Sequence, residues 1–203
     1  LDNKNLNHLN SIKELCAKEA TNYTSSIDMD ILNNIHKYLK DTEINRFRLN
    51  LFKKLNSKQW LRPTIYGISK KILDQIVGNE LVMQKQINLS IQMPKDKSSV
   101  LSIHADSLNG ESPYQVVVWV PLVDCYKSKS MFIASKNLTK KIYNSINKKS
   151  KIDFKKLIKE NKSHIKWLNI KYGQILFFNS NFFHGNDINK EKQTRFSLNT
   201  RFK

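Results

Sequence analysis

Two histidines and an aspartate in this sequence have the residue types and the spacing that a metal site requires. His104 and Asp106 are separated by one residue, and residues i and i+2 of a strand point to the same side. An imidazole nitrogen and a carboxylate oxygen from this tripeptide can therefore converge on one ion. His184 follows a strand-like run and can supply a third ligand, which leaves about three coordination positions open. We predict metal-binding and catalytic roles for all three residues.

The alternative for this trio is a hydrogen-bonded cluster in the core. A buried carboxylate beside two imidazoles still needs a cation or a proton to balance its charge, so we favour the metal. The other histidines lack both an acid two residues later and a flanking strand pattern, and we expect surface or packed positions for His8, His36 and His164.

An arginine on the next strand can bind the far carboxylate of an acid held at such a metal. Arg195 follows His184 by eleven residues, and Ser197 lies two residues further on. The planar guanidinium can form two parallel hydrogen bonds with a carboxylate, and a serine hydroxyl on the same strand face can assist it. Arg201 shares this strand face and is the rival for the role, although we prefer Arg195.

A run of alternating residues before the His-x-Asp tripeptide predicts a strand with one polar face. Its amide and hydroxyl side chains are Gln84, Gln86, Asn88, Ser90 and Gln92. We expect the apolar side, Ile87, Leu89 and Ile91, to pack against helices. An exposed face in so basic a chain would carry Lys, whereas uncharged amides suit a pocket that orients hydroxyl groups and a cofactor carboxylate. We therefore predict that Gln86 and Asn88 line the active-site cavity.

Four segments of the chain together resemble one enzyme family. They are His104-Ala-Asp106, the Trp-containing run 115–124, the run 173–178, and His184-Gly185 followed by Asn189 and Arg195. Over about residues 84–203 the chain resembles the non-haem iron(II), 2-oxoglutarate-dependent oxygenases, and within them the phytanoyl-CoA dioxygenase-like group. The segments Glu111-Ser-Pro-Tyr114 and Lys129-Ser-Met131 make it more closely similar to oxygenases of carbohydrate and aminoglycoside gene clusters.

The resemblance implies a fold, a metal and two co-substrates. The fold is a double-stranded β-helix, a cupin-like jelly roll, with iron(II) bound by His104, Asp106 and His184. The co-substrates are dioxygen and 2-oxoglutarate, whose C5 carboxylate would be anchored by Arg195 and Ser197. Trp119 is expected to line the cofactor side of the pocket, with plain core packing as its alternative.

The reaction and substrate are less closely defined by the resemblance. Halogenating relatives place a small residue where this chain has Asp106, so the acid favours hydroxylation or a related oxidation. The run 127–135 departs from the family pattern in a segment that often shapes the substrate pocket. Together with the polar strand, this favours a hydroxyl-rich sugar, including one linked to a phosphate or nucleotide, over an acyl-CoA.

The elements that position these residues fall into two parts of one predicted domain, 1–203. Apolar residues at spacings of three and four predict that residues 1–80 form a helical support. We expect helices at 7–20, 31–39 and 43–55. A fourth helix is expected over Ile68, Ile72 and Ile76, after a break at Arg62-Pro63. Residues 81–203 form the predicted catalytic core. We expect its strands at 84–92, 100–104, 115–120, 131–133, 174–178 and 194–201, with a short helix near 153–162. The predicted class is α+β.

The amino-acid composition restricts the classes of partner that we expect this chain to bind. The chain has 203 residues and a net charge of +18, but 30 of its 35 basic residues are Lys and only five are Arg. Base readout and bidentate phosphate contacts favour Arg, so we expect a solvated lysine surface and no nucleic-acid or membrane partner. The alternative for the lysines is a positive field that attracts an anionic substrate. No apolar run approaches the ~20 residues of a membrane span. Cys16 and Cys125 cannot form a disulfide scaffold. We expect a cytoplasmic location, although a chain that opens with Leu1 leaves an upstream targeting segment open.

Three classes of function remain open at this stage. The first is an oxygenase that acts on a polar small molecule such as a sugar or aminosugar. The second is a cupin-type metal enzyme that does not use 2-oxoglutarate, and the third is a non-catalytic binding module. Neither the substrate, nor the position and stereochemistry of its oxidation, nor the oligomeric state follows from the sequence.

Overall fold

Helices form the N-terminal part of the chain and antiparallel strands form most of the rest. The computed structural model describes residues 1–147 and 154–203. Its helices are α1 (Asn3–Thr24), α2 (Ile31–Asn34), α3 (Ile44–Asn56), α4 (Leu61–Ile76), α5 (Lys136–Asn147) and α6 (Phe154–Glu160). Its strands are β1 (Asn88–Gln92), β2 (Val116–Pro121), β3 (Phe132–Ala134), β4 (Ile165–Trp167), β5 (Leu176–Asn179), β6 (His184–Gly185) and β7 (Arg195–Phe202). None of the helices described is long and apolar enough to cross a bilayer.

The strands form two antiparallel sheets. The larger has the order β1-β7-β2-β5, and the smaller has the order β4-β3-β6. In the larger sheet Ser90 lies opposite Ser197, and Asn199 lies between Asn88 and Trp119. Directly opposed residues share a face of an antiparallel sheet, so one face collects polar side chains from β1 and β7 and places Trp119 of β2 beside them. The predicted combination of N-terminal helices with antiparallel strands is confirmed.

The other face of β1 packs on the helices, as predicted. Ile87 and Ile91 are almost fully buried in one apolar core with Phe47, Leu51 and Leu55 of α3. These helical residues are four apart and therefore lie on one side of α3. The helix α4 starts at Leu61, earlier than expected, because Pro63 lies in its first turn, where a missing N–H costs no helical hydrogen bond.

A second apolar core forms beneath the smaller sheet. It contains Leu138 and Ile142 of α5 together with Ile103, Ala105 and Phe183. The last three residues are the chain neighbours of His104 and His184. The sequence did not predict α5, since its lysines and asparagines conceal the two apolar positions that the helix buries, and it also did not predict β4.

Two of the predicted strands differ from the structure. Of the segment 100–104 only His104 pairs as in a sheet, through an isolated antiparallel bridge with His184 of β6. The strand β1 begins at Asn88, since the chain bends at Lys85-Gln86 and the side chain of Asn56 bonds both the N–H and the carbonyl of Ile87. The bend leaves Gln86 exposed, so the prediction that Gln86 lines the cavity is wrong. The predicted helix near 153–162 corresponds to α6, while Asp153 lies outside the described residues.

The contact of Asn56 with Ile87 gives a test of how β1 is fixed to α3. Asn56→Ala leaves the buried N–H and carbonyl of Ile87 without partners, and we expect the free energy of unfolding to fall by about 2 kcal/mol. Asn50→Ala, an exposed position on the same helix, is the control and should change it by less than about 0.5 kcal/mol. Urea unfolding followed by circular dichroism measures both. Equal effects of the two substitutions would contradict this account.

Candidate metal centre and its cavity

A reciprocal pair of backbone hydrogen bonds brings the two histidines of the predicted trio together. The N–H of His104 donates to the carbonyl of His184 at 2.9 Å, and the N–H of His184 donates to the carbonyl of His104 at 2.8 Å. Side chains of such a pair lie on the same side of the ladder. The two ring centroids are consequently 4.4 Å apart, although the residues are 80 positions apart in the chain.

The alternation of side chains along both segments orients these rings. The neighbours Ile103, Ala105 and Phe183 point into the core beneath the smaller sheet, where α5 covers them. The histidines must then point to the opposite side. Tyr143 of α5 reinforces this arrangement, since its hydroxyl lies 2.9 Å from Ser107 Oγ and its ring packs edge-on against Phe183.

Each imidazole is held in the tautomer that a metal ligand needs. The Nδ1 of His104 lies 2.8 Å from the carbonyl of Ser102, and the Nδ1 of His184 lies 2.9 Å from the carbonyl of Phe182. A carbonyl only accepts hydrogen bonds, so Nδ1 carries the proton in both rings. In a neutral ring the Nε2 lone pair is then free to face the shared space.

Asp106 completes the trio at the start of a 3-10 turn, Asp106–Asn109. Its Oδ1 lies 3.6 Å from Nε2 of His104 and 3.9 Å from Nε2 of His184. One ligand atom from each residue lies within 4.8 Å of the others. The three atoms surround a space of ionic size, and small side-chain movements would bring them to the distance of about 2 Å at which nitrogen and oxygen ligands bind a metal.

The charges around Asp106 favour its ionised form. Burial raises the pKa of Asp106, but the hydrogen bond with His104 and the charges of Arg201 and His184 outweigh it and hold the pKa below its usual value. Burial lowers the pKa of His184, whereas the hydrogen bond with Asp106 raises the pKa of His104. The trio thus offers a carboxylate and at least one neutral imidazole near neutral pH.

The trio faces a cavity of about 490 Å³ that also reaches the polar face of the larger sheet. Two further sides come from α3 and from the segment 98–101. Beyond the trio, the residues lining it include Asn45, Arg48, Phe52, Asn88, Ser90, Ser98, Ser99, Leu101, Val117, Trp119, Met131, Phe178, Asn186, Arg195, Asn199 and Arg201. Asn88 and Trp119 both line this cavity. The amide of Asn88 donates to Asn199 Oδ1 at 2.9 Å.

Arg195 is a buried cation in this lining. Its side chain donates to the carbonyl of Ser130 at 3.0 Å and to Ser90 Oγ at 2.9 Å, while its Nε has no partner. No carboxylate of the described residues forms an ion pair with it. Burial lowers the pKa of Arg195 to about 10, so the guanidinium is still charged at neutral pH. Ser197 is fully buried and its Oγ has no partner, but it does not itself line the cavity.

The contacts of Arg201 differ from the carboxylate-binding role considered for it in the sequence. Its Nε and Nη2 both donate to Oδ2 of Asp106, at 3.0 and 2.8 Å. The spacing of six residues on one strand indicates that Arg201 faces the same side as Arg195, but it does not identify Asp106 as the partner. No sequence pattern indicates the carbonyls of Ser102 and Phe182, because any residue type can supply a backbone acceptor.

Solved structures similar to this chain include non-haem enzymes. The non-haem monooxygenase ThoJ superposes with a TM-score of 0.60 and 15% identity over 95% of this chain and 69% of ThoJ. The non-haem α-ketoglutarate-dependent carbocyclase SnoK from nogalamycin biosynthesis gives 0.52 and 13%, over 81% of this chain and 76% of SnoK. HygX from Streptomyces hygroscopicus, with nickel and 2-oxoglutarate bound, gives 0.54 and 12%, over 81% and 78%.

At these identities the likeness shows a shared fold. Sequence comparison alone finds neither a matching family model nor a matching curated protein. The resemblance to non-haem and 2-oxoglutarate-dependent oxygenases is confirmed by these neighbours. The match to ThoJ covers 95% of the chain, so the similarity includes much of the helical part as well as the strands.

Gly185 gives a test of the close approach that forms the trio. A Cβ at Gly185 would lie 2.8 Å from the carbonyl oxygen of Leu101, 2.9 Å from the ring of Phe132 and 3.2 Å from Cα of Ile103. We expect Gly185→Ala to push the segment that carries His104 away from β6. The expected results are a loss of about 1–3 kcal/mol of stability and at least a tenfold weaker affinity for Ni(II) by calorimetry.

The matched control for this substitution is Gly67→Ala. Gly67 lies within α4, and a Cβ there meets no atom within 4 Å. Alanine should stabilise the helix by about 0.5–1 kcal/mol and leave the affinity for Ni(II) unchanged. A Gly185→Ala protein that binds Ni(II) like the control shows that the close approach is dispensable.

The unpaired charge of Arg195 gives a second test at this site. Arg195→Met removes a buried cation and keeps a long unbranched side chain, so we expect the ligand-free protein to gain about 1–2 kcal/mol in its free energy of unfolding. Arg62→Met, at an exposed arginine, is the control. A loss of more than 1 kcal/mol in urea unfolding of Arg195→Met, relative to the control, contradicts the view that Arg195 is held at a cost to stability.

Proposed function

We propose that this chain is an iron(II)- and 2-oxoglutarate-dependent oxygenase with a double-stranded β-helix core. One observation carries the proposal. A trio of two imidazoles and one carboxylate faces the same cavity as a buried arginine without a carboxylate partner among the described residues. The first group suits a metal with open positions, and the second suits the distal carboxylate of a bound acid.

The donor set fits iron(II). Two imidazole Nε2 atoms and one carboxylate oxygen are the ligands of the non-haem iron oxygenases. His104 and His184 are oriented by backbone carbonyls, and Asp106 is oriented by Arg201. Partners of this kind fix the direction of metal ligands. We therefore assign metal binding to these three residues.

The lining also fits 2-oxoglutarate. Arg195 would bind its C5 carboxylate, since the guanidinium lines the cavity and has an unpartnered Nε. Ser197 does not line the cavity, but its buried hydroxyl has no partner, and it stays our candidate for assisting Arg195. Trp119 supplies a flat apolar wall to the same cavity. When bound, iron(II), 2-oxoglutarate and dioxygen supply the oxidising chemistry, with succinate and carbon dioxide as by-products. The chain contributes the three metal ligands, the arginine that neutralises the distal carboxylate, and the walls of the cavity that both groups face.

The remaining lining favours a polar, uncharged substrate. Asn45, Ser98 and Ser99 present amide and hydroxyl groups, and the Oγ of Ser99 is buried without a partner. Arg48 is already bonded to the carbonyl of Ile91, to Asn45, to Ser98 and to Asp96.

Asp106 carries the single carboxylate among the described lining residues, so the cavity offers nothing to pair with a substrate ammonium group. We propose a hydroxyl-rich small molecule such as a sugar, oxidised by hydroxylation or a related reaction. A structure of HygX with hygromycin B bound supports a polar substrate.

Succinate production tests this proposal. Purified protein with iron(II), 2-oxoglutarate and ascorbate in air should release succinate slowly without a substrate, and His104→Ala should abolish this release. Arg195→Lys should raise the 2-oxoglutarate concentration for half-maximal release at least tenfold, because an ammonium group cannot reproduce the planar fork. Arg62→Lys, the same change on the surface, should have no effect.

The outcomes separate the three classes of function. Metal binding without succinate indicates a cupin-type enzyme that does not use 2-oxoglutarate. Absence of metal binding indicates a binding module. An Arg195→Lys protein with an unchanged requirement for 2-oxoglutarate shows that another group binds the C5 carboxylate. Faster succinate release with neutral sugars or sugar nucleotides than with a long-chain acyl-CoA is the expected substrate preference.

A further inference from the structure

The guanidinium of Arg201 holds one oxygen of Asp106 and leaves the other for the trio. Its Nε and Nη2 donate to the same atom, Oδ2, at 3.0 and 2.8 Å. The other oxygen, Oδ1, is the one that faces both imidazole Nε2 atoms. We propose that Arg201 is a positioning residue that confines Asp106 to binding the metal through Oδ1 alone. This inference rests on the metal centre of the proposed function.

The position of Arg201 is fixed on several sides. It lies opposite Val117 in the ladder between β2 and β7, and its side chain is 12% exposed. Its Nη1 lies 3.3 Å from Oε1 of Gln84, and its Nε lies 4.0 Å from a carboxylate oxygen of Glu111. These contacts prevent the guanidinium from following the carboxylate if Asp106 rotates.

The consequence concerns how many positions remain free on the metal. A carboxylate with both oxygens available can occupy two coordination positions, whereas one with Oδ2 bound to Arg201 can occupy one. With two imidazoles, single-oxygen binding leaves about three of six positions, which is the number that a chelating acid and dioxygen require. Arg201 would thereby preserve the space that the proposed reaction uses.

Arg201 has two opposing effects on the affinity of the site for a metal ion. A guanidinium beside Asp106 reduces the attraction of the site for a cation. If this charge were its only effect, removing Arg201 would strengthen metal binding. If Arg201 positions Asp106, removing it frees the carboxylate and weakens metal binding, commonly by 10–100-fold for groups that orient ligands. The sign of the change in affinity therefore distinguishes the two roles.

The experiment measures the affinity of Arg201→Gln, Arg201→Lys and wild type for Ni(II) by calorimetry, without 2-oxoglutarate. We expect Arg201→Gln to bind Ni(II) 10–100-fold more weakly. Arg201→Lys keeps the charge but not the two parallel donors, and we expect a smaller loss of at least threefold. Arg62→Gln is the matched control, since among the described residues the one hydrogen bond of this exposed arginine goes to the carbonyl of Met83, and it should bind like wild type.

The visible absorption of Co(II) provides a second readout that does not depend on activity. Wild type and Arg62→Gln should share one spectrum, and the Arg201 variants should differ from it because the coordination of the ion changes. Circular dichroism and urea unfolding of the metal-free proteins identify any variant that does not fold. Arg201→Lys retains the buried charge and serves if Arg201→Gln is unfolded.

The outcomes distinguish this inference from the proposed function. Unchanged or stronger Ni(II) binding by folded Arg201→Gln, with normal binding by wild type, overturns the role of Arg201 alone. An Arg201→Lys protein identical to wild type in affinity and spectrum also overturns it, because charge would then suffice. Absence of Ni(II) binding by wild type overturns the metal centre, and the role of Arg201 with it.

Discussion

The pair of hydrogen bonds between the backbones of His104 and His184 is the contact on which the candidate site depends. It places two residues from distant segments side by side, and the alternation of side chains then turns their neighbours into the core under α5. The absence of a side chain at Gly185 permits this approach. In each segment the carbonyl two residues earlier accepts a hydrogen bond from Nδ1, which orients the ring and places the proton on Nδ1. Most of the ligand geometry is thus a property of the backbone.

The second constraint is the distribution of charge in the cavity lining. Three arginines lie there, and two of them are paired, Arg48 with Asp96 and Arg201 with Asp106. Arg195 is bonded only to a carbonyl and a hydroxyl. Hydrogen bonds from neutral groups offset part of the cost of burying a cation, but an anion offsets more. The lining is therefore complementary to a bound carboxylate before any ligand enters.

The sequence predicted those parts of the site that depend on short spacings. His104, Asp106 and Arg195 could be identified as candidates because residues i and i+2 share a strand face and because few residue types can bind a metal or a carboxylate. Asn88 was placed correctly, whereas Gln86 was not, since a local bend interrupts a period-two pattern without altering the residue types. The sequence also missed α5, which packs beneath the site, and the contact of Arg201 with Asp106. Both depend on how separate segments pack, which no local pattern records.

The burial of Arg195 has a consequence for how ionic strength acts on this protein. Its guanidinium loses its water when the chain folds, so an arriving anion does not have to displace that water. Dissolved salt screens exposed charges over about 8–10 Å and screens buried ones much less. The net charge of +18 on the chain instead acts at long range and accelerates the encounter with anions. Salt should therefore lower the association rate of an anionic co-substrate more than it raises the dissociation rate. The lysine-rich surface then contributes mainly to the rate of binding, and the buried arginine contributes mainly to its strength.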